Sequence, residues 1–102
     1  MEIEIQVVPD CPNEKPAAEQ LRRALDGLGL TDTMFTTRII ADQAEAERIG
    51  FTGSPTILIN GRDPFLESGR PAGLTCRVYR TAGRPTGLPG ADRLREALIS
   101  AL

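Results

Sequence analysis

Apolar residues recur along the first thirty positions with two different periods. Those at positions 3, 5 and 7 alternate with polar residues at 2, 4 and 6, which predicts a β-strand with one more polar face. From about Glu14 the apolar residues instead fall on one helical stripe, which runs up to the Gly-Leu-Gly-Leu sequence of 27–30. The residues of that stripe are Ala17, Leu21, Ala24, Leu25 and Leu28. We expect Asn13 to be the N-cap of this helix.

The middle of the chain predicts a second strand, a short helix and a third strand. β-Branched content over 34–40 indicates a strand. Asp42 and Glu45 then have the spacing of a capping box, and Gly50 ends the short helix. Residues 56–59 are apolar on both faces, so we expect this strand to be central in the sheet.

The last third of the chain predicts one more strand and one more helix. Asn60-Gly61 is a hairpin-turn dipeptide, which would normally be followed at once by the next strand. The next strand-like run, 74–81, begins only at residue 74, so we expect residues 62–73 to form an elaborated loop. A Gly/Pro-rich connection over 83–90 precedes a helix with one apolar face, formed by Leu94, Ala97, Leu98, Ala101 and Leu102. The resulting order is β-α-β-α-β-β-α, and right-handed crossovers would place strand one beside strand three.

Composition narrows the range of functions. The chain has 102 residues, which predicts a single domain over 1–102, and a net charge of −2, which gives no basis for nucleic acid or an anionic membrane as a partner. No apolar run approaches the roughly 20 residues of a membrane-spanning helix, and the acidic Met1–Glu4 start differs from a secretory signal. We therefore expect a cytoplasmic protein, whose two cysteines are free thiols. The absence of histidine excludes Cys-His and Ser-His-Asp catalysis and histidine-ligated zinc.

One cysteine stands where a thiol is easily activated. Cys11 follows the first predicted strand and precedes the first predicted helix, in the sequence Pro9-Asp10-Cys11-Pro12-Asn13. The N–H groups and dipole of a helix N-terminus stabilise a thiolate, which is the nucleophilic and metal-binding form of cysteine. The alternative is that Cys11 serves only as a small apolar residue that closes the strand.

The second informative segment is Gly53-Ser54-Pro55-Thr56, which opens the third predicted strand. Together with Cys11 and the element order, it resembles the thioredoxin-like superfamily in its minimal, glutaredoxin-like form. The resemblance implies a three-layer α/β/α sandwich with a four-stranded mixed sheet. It also implies a cis Ser54-Pro55 bond, Ser54 backbone groups that pair with a thiol partner, and a groove shaped by Pro55. The alternative is a trans proline that starts a strand.

The family's dithiol motif, Cys-x-x-Cys, is incomplete in this chain. It reads Cys11-Pro12-Asn13-Glu14, with a glutamate in place of the second cysteine. This leaves monothiol chemistry at Cys11: a mixed disulfide with a glutathione-like or protein thiol, sulfenic acid formation, or soft-metal capture. The resemblance implies that the backbone of Pro12, Asn13 and Glu14 stabilises the thiolate, and it implies no cofactor.

Cys76 is a second thiol, expected near the start of the fourth strand. At about 3.3 Å per residue, that position would separate it from Cys11 by well over ~10 Å, too far for a disulfide. The alternative is that loop 62–73 folds over the site and carries Cys76 with it. Arg77, Arg80 and Arg84 form a basic cluster that is either a solvated face or an anion site.

The chain more specifically resembles a group of small bacterial thioredoxin-like proteins that carry an alkylmercury lyase-like label. This resemblance is carried by Cys11-Pro12-Asn13, by 51–63, by the Cys-Arg-x-Tyr-Arg-Thr sequence of 76–81 and by the Leu-Arg-x-Ala-Leu sequence of 94–98. Three functions follow as hypotheses. The first is a monothiol redox protein that uses Cys11. The second is a protein that binds mercury or an organomercurial through Cys11 and Cys76, and the third is a non-catalytic interaction module.

Overall fold

The alternating first segment becomes the middle strand of a mixed sheet. The structure is a computed structural model that describes residues 1–67, 69–81 and 84–102 and, for Thr81, the backbone only. Its elements are β1 (Ile3–Val7), α1 (Glu14–Gly27), β2 (Thr36–Ile39), α2 (Gln43–Ile49), β3 (Thr56–Ile59), β4 (Tyr79–Thr81), β5 (Arg84–Thr86) and α3 (Ala91–Ser100). The chain is therefore a compact α/β protein with three helices among the described residues, and its radius of gyration is 12.9 Å.

The main sheet has the strand order β2-β1-β3. β1 is parallel to β2 and antiparallel to β3, with Ile5 opposite Thr37 on one side and Ile57 on the other. The prediction that strand one lies beside strand three is confirmed. The prediction that strand three is central is wrong, because β1 holds that position. β3 is nevertheless buried along most of its length, since side chains from residues that follow it, such as Arg77, pack against it.

The main core lies between this sheet and helices α1 and α3. Both helices turn their predicted apolar stripes inward, so Leu21, Leu25, Leu94 and Leu98 are fully buried. They pack on a sheet face whose side chains are Ile3, Ile5, Val7, Ile57 and Ile59. Leu102 departs from the prediction because it is 72% exposed beyond the end of α3.

Helix α2 begins and ends as the sequence predicts. The Asp42 carboxylate accepts a hydrogen bond from the Glu45 N–H at 2.8 Å, and the Glu45 carboxylate accepts one from the Ala41 N–H at 3.0 Å. The Ala41 N–H and, next, the Arg38 guanidinium hold the pKa of Glu45 below its usual value. Gly50 closes the helix at φ 75°, in the left-handed region.

The predicted fourth strand is mostly absent. Of residues 74–81 only Tyr79–Thr81 form a strand, and β4 pairs with β5 instead of with β3. β5 lies inside the segment that was predicted to be a connection, where Pro85 and the glycines obscure the strand signal. In the described residues the main sheet thus has three strands beside a separate two-stranded ribbon, and a four-stranded thioredoxin topology is not confirmed. Residues 62–67 and 69–73 hold no helix or strand, as expected of the loop, and Ser68 lies outside the described residues.

Candidate functional site

Cys11 lies in the short turn between β1 and α1. Asp10, directly before it, has φ 58°, a left-handed conformation that aspartate tolerates better than most residues. The Cys11 carbonyl accepts a hydrogen bond from the Glu14 N–H at 3.2 Å, which leads the chain into the helix. The Cys11 side chain is partly buried and packs against the main core. The sequence therefore places this thiol at a strand-to-helix junction, as predicted.

The backbone groups expected to stabilise a Cys11 thiolate are only partly available. Pro12 has no N–H, and the Glu14 N–H already donates to the Cys11 carbonyl. Of the three predicted residues, this leaves Asn13 as the one whose N–H can serve. Asn13 is the N-cap, as predicted, but its side chain forms no capping hydrogen bond. It packs instead against Gly87, where an added Cβ would collide with Asn13 Nδ2.

Ser54 forms hydrogen bonds both to the end of β1 and to residues 75–77. The Ser54-Pro55 bond is cis, as predicted, and both residues are fully buried. The Ser54 hydroxyl accepts a hydrogen bond from the Val8 N–H at 3.0 Å, at the end of β1 from which the chain runs to Cys11. The backbone of Ser54 is bonded on the other side: its N–H donates to the Thr75 carbonyl at 2.8 Å, and its carbonyl accepts from the Arg77 N–H at 2.9 Å. The groups that were expected to pair with a thiol partner are thus occupied by the chain itself.

Cys76 lies between those two partners of Ser54. It forms an isolated parallel β-bridge with Ser54, and its side chain is exposed and free. Bridged residues of neighbouring strands are about 4.8 Å apart. The expectation that Cys76 lies near the start of the fourth strand is wrong, because residues 74–78 do not belong to β4. The bridge places Cys76 beside Ser54, and the separation expected between the two thiols stays a prediction.

Arg77 has a role that sequence reasoning missed. It was expected in an exposed basic cluster, but it is 3% exposed and forms an ion pair with Asp63. Its guanidinium also donates to the Phe65 carbonyl and to the Thr56 hydroxyl. The sequence carried no local signal for this burial, since the neighbouring apolar residues Leu74 and Val78 are themselves exposed. Arg80 and Arg84 are exposed, as a solvated face requires.

Two neighbours complete the packing around Arg77. The guanidinium lies over the Tyr79 ring, with its central carbon 4.7 Å from the ring centroid. The Tyr79 hydroxyl donates to the Pro55 carbonyl, and burial raises the pKa of Tyr79 well above its ordinary value. Phe65 meets Tyr79 edge to face at 5.7 Å. Arg77 and Tyr79 therefore join the loop after β3 to the residues that open β3.

The described part of the chain shows neither a multidentate metal cluster nor a membrane span. No group of three or more cysteine, aspartate or glutamate side chains there could hold a metal ion. None of the helices in the same residues is long and apolar enough to cross a membrane. No family model, curated protein or solved structure matches the chain. The candidate site is therefore defined by Cys11, Ser54 and Cys76.

Proposed function

We propose that this chain is a thioredoxin-like redox protein that forms mixed disulfides through Cys11. The observation that carries the proposal is the position of Cys11, partly buried in the turn that leads from β1 into α1. The strand order β2-β1-β3, with one parallel and one antiparallel pair, supports the thioredoxin-like resemblance of the sequence. Ser54-Pro55 supports it as well, because it opens β3 directly beside the end of β1.

The reaction is a thiol–disulfide exchange. The Cys11 thiolate attacks one sulfur of a disulfide RSSR, a bond forms between Cys11 Sγ and that sulfur, and the S–S bond of RSSR breaks. The leaving thiolate takes up the proton that Cys11 lost, so one disulfide is consumed and one is formed. The thiol partner is a glutathione-like small molecule or a protein thiol. This exchange needs no cofactor.

The proposal is tested with the Cys76→Ser variant, which leaves Cys11 as the single thiol. The reduced variant is mixed with oxidised glutathione, the reaction is quenched with acid, and the mass of the protein is followed over time. We expect one glutathionyl group on Cys11, added faster in the folded protein than in the same variant unfolded in guanidinium chloride. An equal or slower reaction of the folded protein would contradict an activated thiol and favour a non-catalytic interaction module.

A second candidate function is the capture of mercury(II) or an organomercurial by both cysteines. The observation that favours it is that Cys76 bridges to Ser54, whose hydroxyl is bonded to Val8 at the end of β1 that leads to Cys11. Thiolates are the ligands that soft metals prefer. We expect one mercury(II) ion per chain, with tight binding lost in both Cys11→Ser and Cys76→Ser. Binding that survives either single substitution would rule out a site built from the two thiols.

A further inference from the structure

Residues 75–77 of the chain itself occupy the backbone groups of Ser54 that were expected to bind a partner. The middle residue of this segment is a cysteine. Thr75 and Arg77 bond the N–H and C=O of Ser54, and Cys76 is the exposed residue between them. We propose that Cys76 is the resolving thiol of this site, which attacks the mixed disulfide at Cys11 and closes a Cys11–Cys76 disulfide. This inference rests on the proposed function, since it requires the mixed disulfide at Cys11 to form first.

The segment that carries Cys76 is firmly attached. The Arg77 and Asp63 side chains of the ion pair are only 2% and 9% exposed. The Arg77 guanidinium also donates hydrogen bonds to the Thr56 hydroxyl and the Phe65 carbonyl. Separating such a buried pair leaves an uncompensated charge, which is strongly unfavourable. An incoming peptide that competed for the Ser54 backbone would have to break this arrangement. We therefore expect the segment to stay in place while Cys11 reacts.

Backbone contacts fix the register of the same segment. The Gly73 N–H donates to the Phe51 carbonyl at 2.9 Å, two residues before the Ser54 contacts begin. Gly53 allows the close approach, because an added Cβ there would lie 2.9 Å from Arg77 Cβ. The segment is thus held against residues 51–54 from Gly73 to Arg77. This pairing, and no other register, puts Cys76 opposite Ser54.

Ser54 is hydrogen-bonded to residues of both segments that carry the cysteines, although not to the cysteines themselves. On one side it bonds Thr75 and Arg77, each the immediate neighbour of Cys76. On the other side its hydroxyl bonds Val8, and a tight turn that includes the left-handed Asp10 leads from there to Cys11. Both thiol-bearing segments therefore meet at one buried residue, whereas the sequence alone had placed them at opposite ends of a strand.

The resolving step balances as a second thiol–disulfide exchange. The Cys76 thiolate attacks Cys11 Sγ in the mixed disulfide, the Cys11–SR bond breaks, and RS⁻ leaves and takes the proton that Cys76 gave up. Over both steps one disulfide RSSR is reduced to two thiols RSH. The two cysteines are oxidised to one disulfide. The oxidant is the small or protein disulfide that the proposed function already names.

The test follows the fate of the glutathione adduct in the wild-type protein and in Cys76→Ser. Each reduced protein is mixed with oxidised glutathione at low protein concentration, quenched with acid and measured by intact-mass and peptide mass spectrometry. We expect the wild type to end as a monomer that has lost two hydrogen atoms, with the Cys11 and Cys76 peptides linked. Cys76→Ser should stop at the Cys11 adduct.

A matched control moves the thiol along the same segment. In the double variant Cys76→Ser/Val78→Cys the thiol lies two residues further on, at a position that is 42% exposed in the native chain and outside the Ser54 bridge. We expect its Cys11 adduct to persist, at least tenfold longer than that of the wild type. Equally fast loss of the adduct would show that any exposed thiol suffices and would overturn the inference.

The remaining outcomes separate the two proposals. A glutathione adduct at Cys11 that persists equally in the wild type and in Cys76→Ser would refute the resolving role of Cys76 and leave the function of Cys11 intact. The absence of an adduct at Cys11 in Cys76→Ser, together with no intramolecular disulfide in the wild type, would refute the proposed function itself.

Discussion

Replacing Asp63 by alanine removes one partner of the buried ion pair that holds the Cys76-bearing segment. The carboxylate is 9% exposed and the Arg77 side chain 2% exposed, so the remaining guanidinium would be left without a counter-charge in a site that water barely reaches. The hydrogen bond from the Phe65 N–H to the Asp63 carboxylate, 2.9 Å long, would be lost as well. The substitution therefore acts on the anchor of the segment and leaves both cysteines in place.

The size of the effect follows from the burial. Breaking a buried ion pair by removing one partner costs about 3–5 kcal/mol, against a total unfolding free energy of about 5–15 kcal/mol for a typical domain. We expect Asp63→Ala to lower the unfolding free energy by about 3–5 kcal/mol, measured from urea denaturation curves. In a domain of this size each kcal/mol corresponds to roughly 4–8 °C in melting temperature.

The matched control is Glu67→Ala, which breaks the Arg70–Glu67 pair in the same loop. Its side chains are 32% and 55% exposed, and exposed ion pairs contribute only about 0–1 kcal/mol. Equal losses in the two variants would contradict a stabilising role for the buried Asp63–Arg77 pair. If Asp63→Ala does not fold, the double variant Asp63→Ala/Arg77→Met decides the matter, because removing both charges should restore much of the stability. A double variant that is no more stable than Asp63→Ala would contradict an electrostatic cause.

Four further predictions concern other parts of the structure. Gly53→Ala should lower the unfolding free energy by about 1–3 kcal/mol, because the new Cβ would lie 2.9 Å from Arg77 Cβ and the Gly53 φ is 149°. An unchanged melting temperature would contradict this close approach. Tyr79 is the single tyrosine, so the tyrosinate absorbance should report a pKa above the ordinary tyrosine value of 10.0. The unfolding free energy should fall as the pH rises past that value in the wild type but not in Tyr79→Phe. A midpoint at the ordinary value would contradict its burial. Asp42→Ala should cost about 0.5–2 kcal/mol by removing a helix cap. The pKa of Glu45 is lowered from 4.5, so its contribution should be lost as pH falls below that value, and acid titration of Glu45→Gln should show a weaker dependence.

The sequence was a sufficient guide to the elements whose signals are local. The stripe of α1, the capping box and Gly50 of α2, and the Asn60-Gly61 turn each depend on neighbouring residues. In that turn the Ile59 N–H donates to the Arg62 carbonyl at 2.8 Å, and Asn60 and Gly61 have φ of 53° and 79°. These are the conformations that an Asn-Gly hairpin turn requires. The position of Cys11 was predictable for the same reason.

The environment of Cys76 could not be predicted, because it is decided by contacts between distant parts of the chain. A strand-like run such as 74–81 is compatible with a regular strand, and its pattern alone does not reveal that Arg77 points inward to Asp63. The ion pair and the contact with Gly53 hold 73–77 against 51–54 instead of along β3. The apolar content of β3 likewise predicted a central strand. β3 is instead at the edge of the main sheet, and side chains of this segment, such as Arg77, cover it.

The most direct test of the function proposed for Cys11 is to identify the first thiol to react in the wild-type protein. The reduced protein is mixed with less than one equivalent of oxidised glutathione, quenched with acid within the first turnover, and digested for peptide mass spectrometry. We expect the earliest glutathionyl group on Cys11, even though Cys76 is the more exposed thiol. A first adduct on Cys76, or equal labelling of the two, would show that exposure alone governs reactivity and would contradict the role of the β1–α1 junction.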